Sequence, residues 1–446
     1  MENHSAFWDS FQKQLPAHLA KLQDLDVEAL ARQSGFLVRS PRKVPILKFV
    51  EALLAVAPES DLTLESLASV IALAAHTTYS KQALAQRLAH QIEPFLARLL
   101  TALFGQLSQS VPTGQAFASF KRVLVQDSTV QKLPKRLAQW FPGAGNQHGD
   151  DQAALKIQWT TDLKNSAVLD VSLSGFTRND QAASPDILAV AQAGDLVIRD
   201  LGYLTSQILA SLVQRLIAFL TRYRHGTTLY DAASGQALDL QACLTRGRSL
   251  DCQAFLGPER VPVRLVALPV PEEVANLRRH RAKSSARRRH RSPPGRLHLF
   301  LMSWNIFLTN VPASLWPPKT LLAVYGLRWR IEMVFKTWKS HLGLCRLNCR
   351  TAHLLQLSVL AKLLFCALVG QICDVLELHC AQDEHVSLLR VGHILGQCAC
   401  WFSAAVLGIS VAHWVKFRLS RHSLYETRRD RKNYYELLST AGAALT

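Results

Sequence analysis

Two short β-branched runs, each ending on an aspartate, constrain this chain more than any other feature. Lys121-Arg122-Val123-Leu124-Val125-Gln126-Asp127 and Leu196-Val197-Ile198-Arg199-Asp200 both read as strands that deliver a carboxylate at their ends. Between them, 153–162 and 166–173 alternate as two strands around the turn Asp162-Leu163-Lys164-Asn165, and a helix follows Ser184-Pro185-Asp186. After Asp200 the pattern continues with a turn, a helix over 204–215 and a further strand over 217–223. An acid at a strand end is usually only a turn starter. Two of them in this order are harder to dismiss.

A third acid lies far downstream, in 318–344. Read at about 100° per residue, this stretch is one amphipathic helix. Leu327, Ile331, Val334, Phe335 and Trp338 fall on one side, where they would pack into a core. Tyr325, Arg328, Glu332, Lys336 and Lys339 fall on the other. A carboxylate can ligate a hard divalent cation, Arg and Lys grip phosphate oxygens, and a phenol stacks or hydrogen-bonds. The plain alternative is a solvated face with Arg–Glu pairs at i,i+4.

The element order reproduces the RNase H-like plan, an α/β fold in which the first and fourth strands lie side by side and a late helix brings a carboxylate to the same point. Three carboxylates gathered at one place repel each other unless cations sit among them. That convergence is the functional argument.

The chain's 446 residues, 49% of them hydrophobic, suffice for two or three domains with real cores, and exclude a disordered chain. The expected organisation is a helical N-terminal domain (1–118), an α/β core (119–223 and 301–350), a β-rich insertion with a basic loop (224–300) and a C-terminal helical region (351–446). A net charge of +18 and a pI near 9.8 point to a polyanionic partner. Residues 278–296 contain no acid and read as a flexible, solvated block that binds phosphate backbones without reading sequence. Another basic run follows around 418–432.

In the first region, Thr63 and Ser80 are candidate N-caps. Exposed Lys81, Gln82, Gln86 and Arg87 on the second helix give a helix-turn-helix outline. Nine cysteines without a Cys-x-x-Cys pair suit a reducing compartment. His341, Cys345 and Cys349 stand at zinc-like spacing on a helix, with core packing as the alternative. The start of the chain lacks the basic and apolar pattern of a signal peptide. The apolar stretches 354–378 and 391–416 approach a membrane span in length, but Lys362, Gln371, Asp374, His393 and Gln397 interrupt them, so buried helices and no membrane association are expected.

The spacing Tyr-x2-Arg-x3-Glu-x6-Lys, filled by Tyr325, Arg328, Glu332 and Lys339, resembles the signature of the IS4 family of bacterial insertion-sequence transposases. Asp127-Ser128-Thr129, Asp200-Leu201-Gly202-Tyr203, Phe219-Leu220-Thr221-Arg222 and Leu308-Thr309-Asn310 extend the resemblance over nearly the whole chain. It implies that Asp127, Asp200 and Glu332 are a catalytic DDE triad holding two Mg²⁺ ions, with Mn²⁺ able to substitute. It implies that Tyr325, Arg328 and Lys339 contact DNA near the cleaved phosphate, with Lys336 a further candidate. It also implies DNA-end binding for the helical domain 1–118 and catalysis for the α/β core. The implied activity is cut-and-paste transposition on terminal inverted repeats and target DNA, with a hairpin route in characterised relatives. A homodimer in the DNA complex and a bacterial cytoplasmic, nucleoid-associated location follow. The alternative is a catalytically inactive or domesticated DNA-binding descendant.

Overall fold

The computed structural model describes residues 2–39, 43–59, 62–88, 91–107, 115–145, 152–244, 248–288, 290, 292–347, 349–377 and 386–418. The basic run beyond Arg418 lies outside them.

Six helices come first: α1 (Glu2–Asp24), α2 (Val27–Gln33), α3 (Ile46–Val56), α4 (Leu64–Ala74), α5 (Lys81–Leu88) and α6 (Ile92–Leu107). Thr63 caps α4 by accepting from the Ser66 amide at 3.0 Å, and Ser80 accepts from the Ala83 amide ahead of α5 at 3.2 Å. Lys81, Gln82 and Gln86 are exposed as expected. Arg87 is not. Its guanidinium lies over the rings of Phe36 and Phe49, 5.7 and 5.5 Å from their centroids, because its flat cation packs against aromatic faces.

The strands are β1 (Val123–Leu133), β2 (Ala153–Asp162), β3 (Val168–Gly175), β4 (Leu196–Arg199), β5 (Ala218–Arg222), β6 (Leu229–Asp231), β7 (Leu250–Leu256), β8 (Val261–Pro269) and β9 (Trp304–Thr309). They form one nine-stranded sheet in the order β3-β2-β1-β4-β5-β9-β8-β7-β6. β1, β2 and β3 pair antiparallel, whereas β1, β4 and β5 run parallel. Short helices α7 (Ile187–Val190) and α8 (Ser206–Gln214) supply the crossovers. β9 then pairs antiparallel with β5 on one side and β8 on the other, so the strands of 224–300 continue the same sheet.

Alternation along the central strands sends side chains into two cores. Val123, Val125, Leu196 and Ile198 face one with the N-terminal helices, while Leu124, Val197 and Phe219 face the other with α8. Thr309 and Asn310 pin the start of β5. Thr309 Oγ1 donates to the Phe219 carbonyl at 2.6 Å, and Asn310 accepts from the Phe219 amide at 2.8 Å while donating to the Ile217 carbonyl at 3.0 Å.

The insertion also carries α9 (Leu240–Cys243), α10 (Glu272–Arg288) and α11 (Arg296–Leu301). Here the expectation of a flexible basic block is corrected: most of it is helix. Arg278 and Arg279 tie α10 to the backbone carbonyls of Trp304 and Leu299. The ordered stretch before β9 likewise opens with α11 and only then becomes a strand.

The stretch expected as one helix over 318–344 is two, α12 (Pro318–Gly326) and α13 (Trp329–Ser340). Around Gly326 the bonding tightens to three-residue turns, Leu327 to Val324 and Arg328 to Tyr325, and the α-helical ladder is interrupted while both residues keep helical dihedrals. Leu327, expected in the core, is therefore 38% exposed, while Ile331, Phe335 and Trp338 are buried as the periodicity requires.

The C-terminal helices are α14 (Ala352–Glu377), α15 (Leu388–Gln397), α16 (Ala399–Val406) and α17 (Val411–Arg418). α14 is long and apolar enough to cross a membrane, but its length is buried inside the fold against α6, α1 and α3. Its polar residues are used internally: Lys362 donates to the carbonyls of Ala57 and Glu59, Gln371 to Ser166, and Asp374 pairs with Arg330 at 2.8 Å. The 391–416 stretch is divided among α15, α16 and α17, the last two meeting at 99°.

Candidate active site

Asp127, expected at a strand end, instead sits mid-strand, because β1 continues to Leu133 in antiparallel pairing with β2; it shares a face with Val123 and Val125. The parallel register pairs Gln126 with Arg199, so Asp127 and Asp200 each lie one residue past that pair, side by side. Asp200 leaves β4 into the turn Leu201–Tyr203. Its side chain is 45% exposed, against 14% for Asp127. Glu332 comes from the first turn of α13, which docks on β1 and β2. Trp338 meets Trp159 edge-on with centroids 4.8 Å apart, and Lys339 Nζ donates to the Val130 carbonyl at 2.6 Å.

Arg328, at the helix break, lies among all three acids. Its Nη1 is 3.1 Å from Asp127 Oδ2, its Nη2 2.5 Å from Glu332 Oε1, and its Nε 3.9 Å from Asp200 Oδ1. The Tyr325 hydroxyl donates to Asp200 Oδ1 at 3.3 Å. The expected DNA-contacting residues thus divide: Tyr325, Arg328 and Lys339 are engaged within the protein, while Lys336 projects freely from α13.

Burial pushes the Asp127 carboxyl up to about 6. The Ser128 amide and Arg328 oppose that rise, and the charges of Asp200 and Glu332 add to it. For Arg328, burial lowers proton affinity, but Tyr325, Glu332 and Asp200 outweigh it and hold the guanidinium firmly charged. Tyr325 is pushed up to about 12 by burial and by Asp200.

Several supporting residues escaped the sequence reading. Ser128 presents its amide to Asp127 at 2.7 Å and its hydroxyl to Asp180 at 2.8 Å, and Lys156 pairs with Asp180 at 2.6 Å. Arg199, fully buried beneath the acids, donates to Gln126 Oε1 and Ser184. The available signal was a cation inside an otherwise apolar strand, at Lys156 and at Arg199.

The zinc spacing comes to nothing. The helix ends at Ser340, the His341 ring packs on His393, Cys345 bonds the Lys339 carbonyl and Cys349 points to Ser358. Among the described residues, no three of His, Cys, Asp and Glu are grouped closely enough to share one ion, the acids included, because these stand around the Arg328 guanidinium.

Compared with known proteins, residues 118–369 match the transposase DDE domain. The chain belongs to the DDE transposase family. The matched span contains Asp127, Asp200 and Glu332. The transposase is 27% identical to the transposase for insertion sequence element IS231C of Bacillus thuringiensis subsp. berliner, over 74% of this chain and 72% of that one. It is 26% identical to the transposase for IS231D of Bacillus thuringiensis subsp. finitimus, over 70% of each. A shorter match, 32% identical over 25% of this chain, is to the putative transposase InsL for IS186A of Escherichia coli. The transposase is an insertion-sequence enzyme acting on DNA, and its family depends on divalent metal. Its acids suit that requirement by type: three carboxylates around a centre that a cation already fills.

Proposed function

We propose that Asp127, Asp200 and Glu332 are the catalytic acids that bind two Mg²⁺ ions, and that the chain excises and inserts its element by cut-and-paste. One observation carries this reading: acids from β1, the end of β4 and α13 meet around a single guanidinium. The sheet supports the finer fold assignment, since β3-β2-β1-β4-β5, with three antiparallel and then parallel strands, is the order of an RNase H-like core. The helical N-terminal region, with Lys81, Gln82 and Gln86 exposed beyond the Ser80 cap, would read the terminal inverted repeats.

Bound divalent ions supply activation of the attacking oxygen and stabilisation of the leaving 3′-oxygen. The chain's own residues do the remaining work. Asp127, held by the Ser128 amide, and Asp200, open to solvent, hold the ligand positions, and Glu332 closes the third side. Arg328, Tyr325 and Lys336 bind phosphate oxygens, with Arg328 exchanging its carboxylate partners for the DNA backbone. Lys339 holds α13 to β1 and bounds the same face. Cleavage places a water oxygen on phosphorus as the 3′-oxygen leaves. Joining repeats the displacement with that 3′-hydroxyl attacking a target phosphate. Both ends must be present together, which calls for two copies of the chain on DNA in the bacterial cytoplasm.

The test is nicking of a duplex carrying the element's own terminal repeat. Cleavage at the boundary that needs Mg²⁺ and disappears in Asp200→Ala, with DNA binding retained, supports the reading. Cleavage that survives Asp200→Ala overturns the assignment. Binding without cleavage in any divalent metal indicates a repurposed DNA-binding protein.

A further inference from the structure

The helix α10 has two unlike faces. Ala275, Arg278, Arg279, Ala282, Ser285 and Ala286 fall together at helical spacing and are buried or half-buried. Arg278 and Arg279 on that face are fully committed. Arg278 reaches the Met302 and Trp304 carbonyls and Asn305 Oδ1, while Arg279 reaches the Leu299 carbonyl, Ser303, Asn276 and Glu272. The opposite face carries His280, Arg281, Lys283, Arg287 and Arg288, all exposed. Among the described residues, none of these four Arg and Lys side chains has an ion pair or hydrogen bond. A helix that spends two arginines on anchoring itself and leaves four cations unpaired in one arc costs self-repulsion. That cost is recovered when a polyanion lies along the arc.

The position of α10 gives that polyanion a route. β8 ends at Pro269 opposite Trp304, the first residue of β9, and β9 runs antiparallel to β5. The end of β8 from which α10 springs is therefore at the same edge of the sheet as the carboxyl ends of β4 and β5. That edge carries Asp200. Arg222, at the end of β5, lies near enough to Arg278 to lower its proton affinity further after burial, and near enough to act on Tyr325 as well. Arg222 has no acid partner among the described residues. Arg222 thus stands on the strand between Asp200 and the insertion that carries α10, on the opposite side of the acids from α13.

We propose that the exposed face of α10 holds the phosphate backbone of the receiving duplex, without reading its sequence, and so feeds target DNA to the acids. The inference rests on the transposase reading above. Its chemistry is that of point charges on long stems along the last three turns of α10, where no acid follows Glu272 and Glu273 of the first turn, and this suits a duplex of any sequence.

The test uses the full chain with Arg281, Lys283, Arg287 and Arg288 all changed to Gln, beside a charge-keeping control, Arg281→Lys with Arg287→Lys and Arg288→Lys. On a duplex lacking any terminal repeat, affinity is recorded against salt. Loss of four phosphate contacts predicts a slope of log K on log salt shallower by about 3–4 in the Gln variant, with the control like wild type. An unchanged slope overturns α10 as a DNA contact, and this arm needs no catalysis, so it stands even if the cleavage reading fails. The second arm assembles each protein on a terminal-repeat duplex and then adds an unrelated duplex. The proposal expects unchanged assembly and end cleavage, with capture of the second duplex and strand transfer into it lost at moderate salt. Weakened assembly with normal capture would assign α10 to the element's own end and overturn the target role. A melting temperature matching wild type confirms that the surface substitutions leave the fold intact.

Discussion

Arg328 donates to Asp127 across 3.1 Å, from a helix break more than two hundred residues further along the chain. The same guanidinium holds Glu332 at 2.5 Å, so one side chain neutralises carboxylates from a strand and a helix at once. Its removal leaves acids facing each other in a half-buried place. Without metal, Arg328→Ala should lose stability, by less than the roughly 3–5 kcal/mol of breaking a fully buried pair because Asp200 and Glu332 reach solvent. Added Mg²⁺ should then raise the melting temperature of the variant more than that of wild type. Equal shifts in the two proteins would show that Arg328 and metal do not share the acids.

Asp127 gives a pH signature. Its carboxyl holds a proton more tightly folded, at about 6, than at the ordinary 3.8, so the native state binds more protons between those values and stability falls as pH rises through them. Above pH 6 the full penalty, on the order of 3 kcal/mol, is present. Metal-free Asp127→Asn should therefore melt above wild type at pH 8, with the gap closing toward pH 4. Melting curves across that range check it, and a gap independent of pH would refute the cause.

Asn310 clips the start of β5 through both polar atoms of its amide. Asn310→Ala should cost about 1–2 kcal/mol, since water can partly replace the exposed side chain. Hydrogen exchange at the Phe219 amide should accelerate more than at the paired amides of β1. Uniform acceleration would instead indicate a global loss of stability.

Two C-terminal glycines should respond with opposite sign. A Cβ on Gly396 would stand 2.5 Å from the His341 carbonyl oxygen, where α15 crosses the end of α13. Gly396→Ala should destabilise by roughly 1–3 kcal/mol. Gly370, in the second half of α14, has nothing within 4 Å of such a Cβ, so Gly370→Ala should gain up to about 1 kcal/mol. Chemical denaturation of both variants measures the contrast.

That Asp127, Asp200 and Glu332 come together was legible from element order, since strand and helix periodicity are local; the length of β1 beyond Asp127 was not, because its later residues are mostly polar and owe their strand conformation to pairing with β2. The interruption after Gly326 was not legible, because an apolar stripe looks the same whether the backbone bonds in four-residue or three-residue turns. Nor was the helix over 278–288: a run of like charges predicts solvation, and only Arg278 and Arg279 bonding to β9 and its approach reveal what holds it. Arg87 misled for a related reason. Its charge suggested solvent, while its planar group served as a cover for Phe36 and Phe49.

β9 is bonded on one edge to β5 and on the other to β8, and this makes the sheet a caliper. From the end of β4, where Asp200 sits, to the end of β8, where α10 begins, is three strand spacings, roughly 14 Å at about 4.8 Å each. That gap is close to the ~12 Å width of a DNA major groove. No hinge interrupts the ladder across those strands, so the root of α10 keeps a fixed offset from the acids, set by the spacing of paired strands. Slippage of the insertion by one strand would move that root by about 4.8 Å relative to the acids.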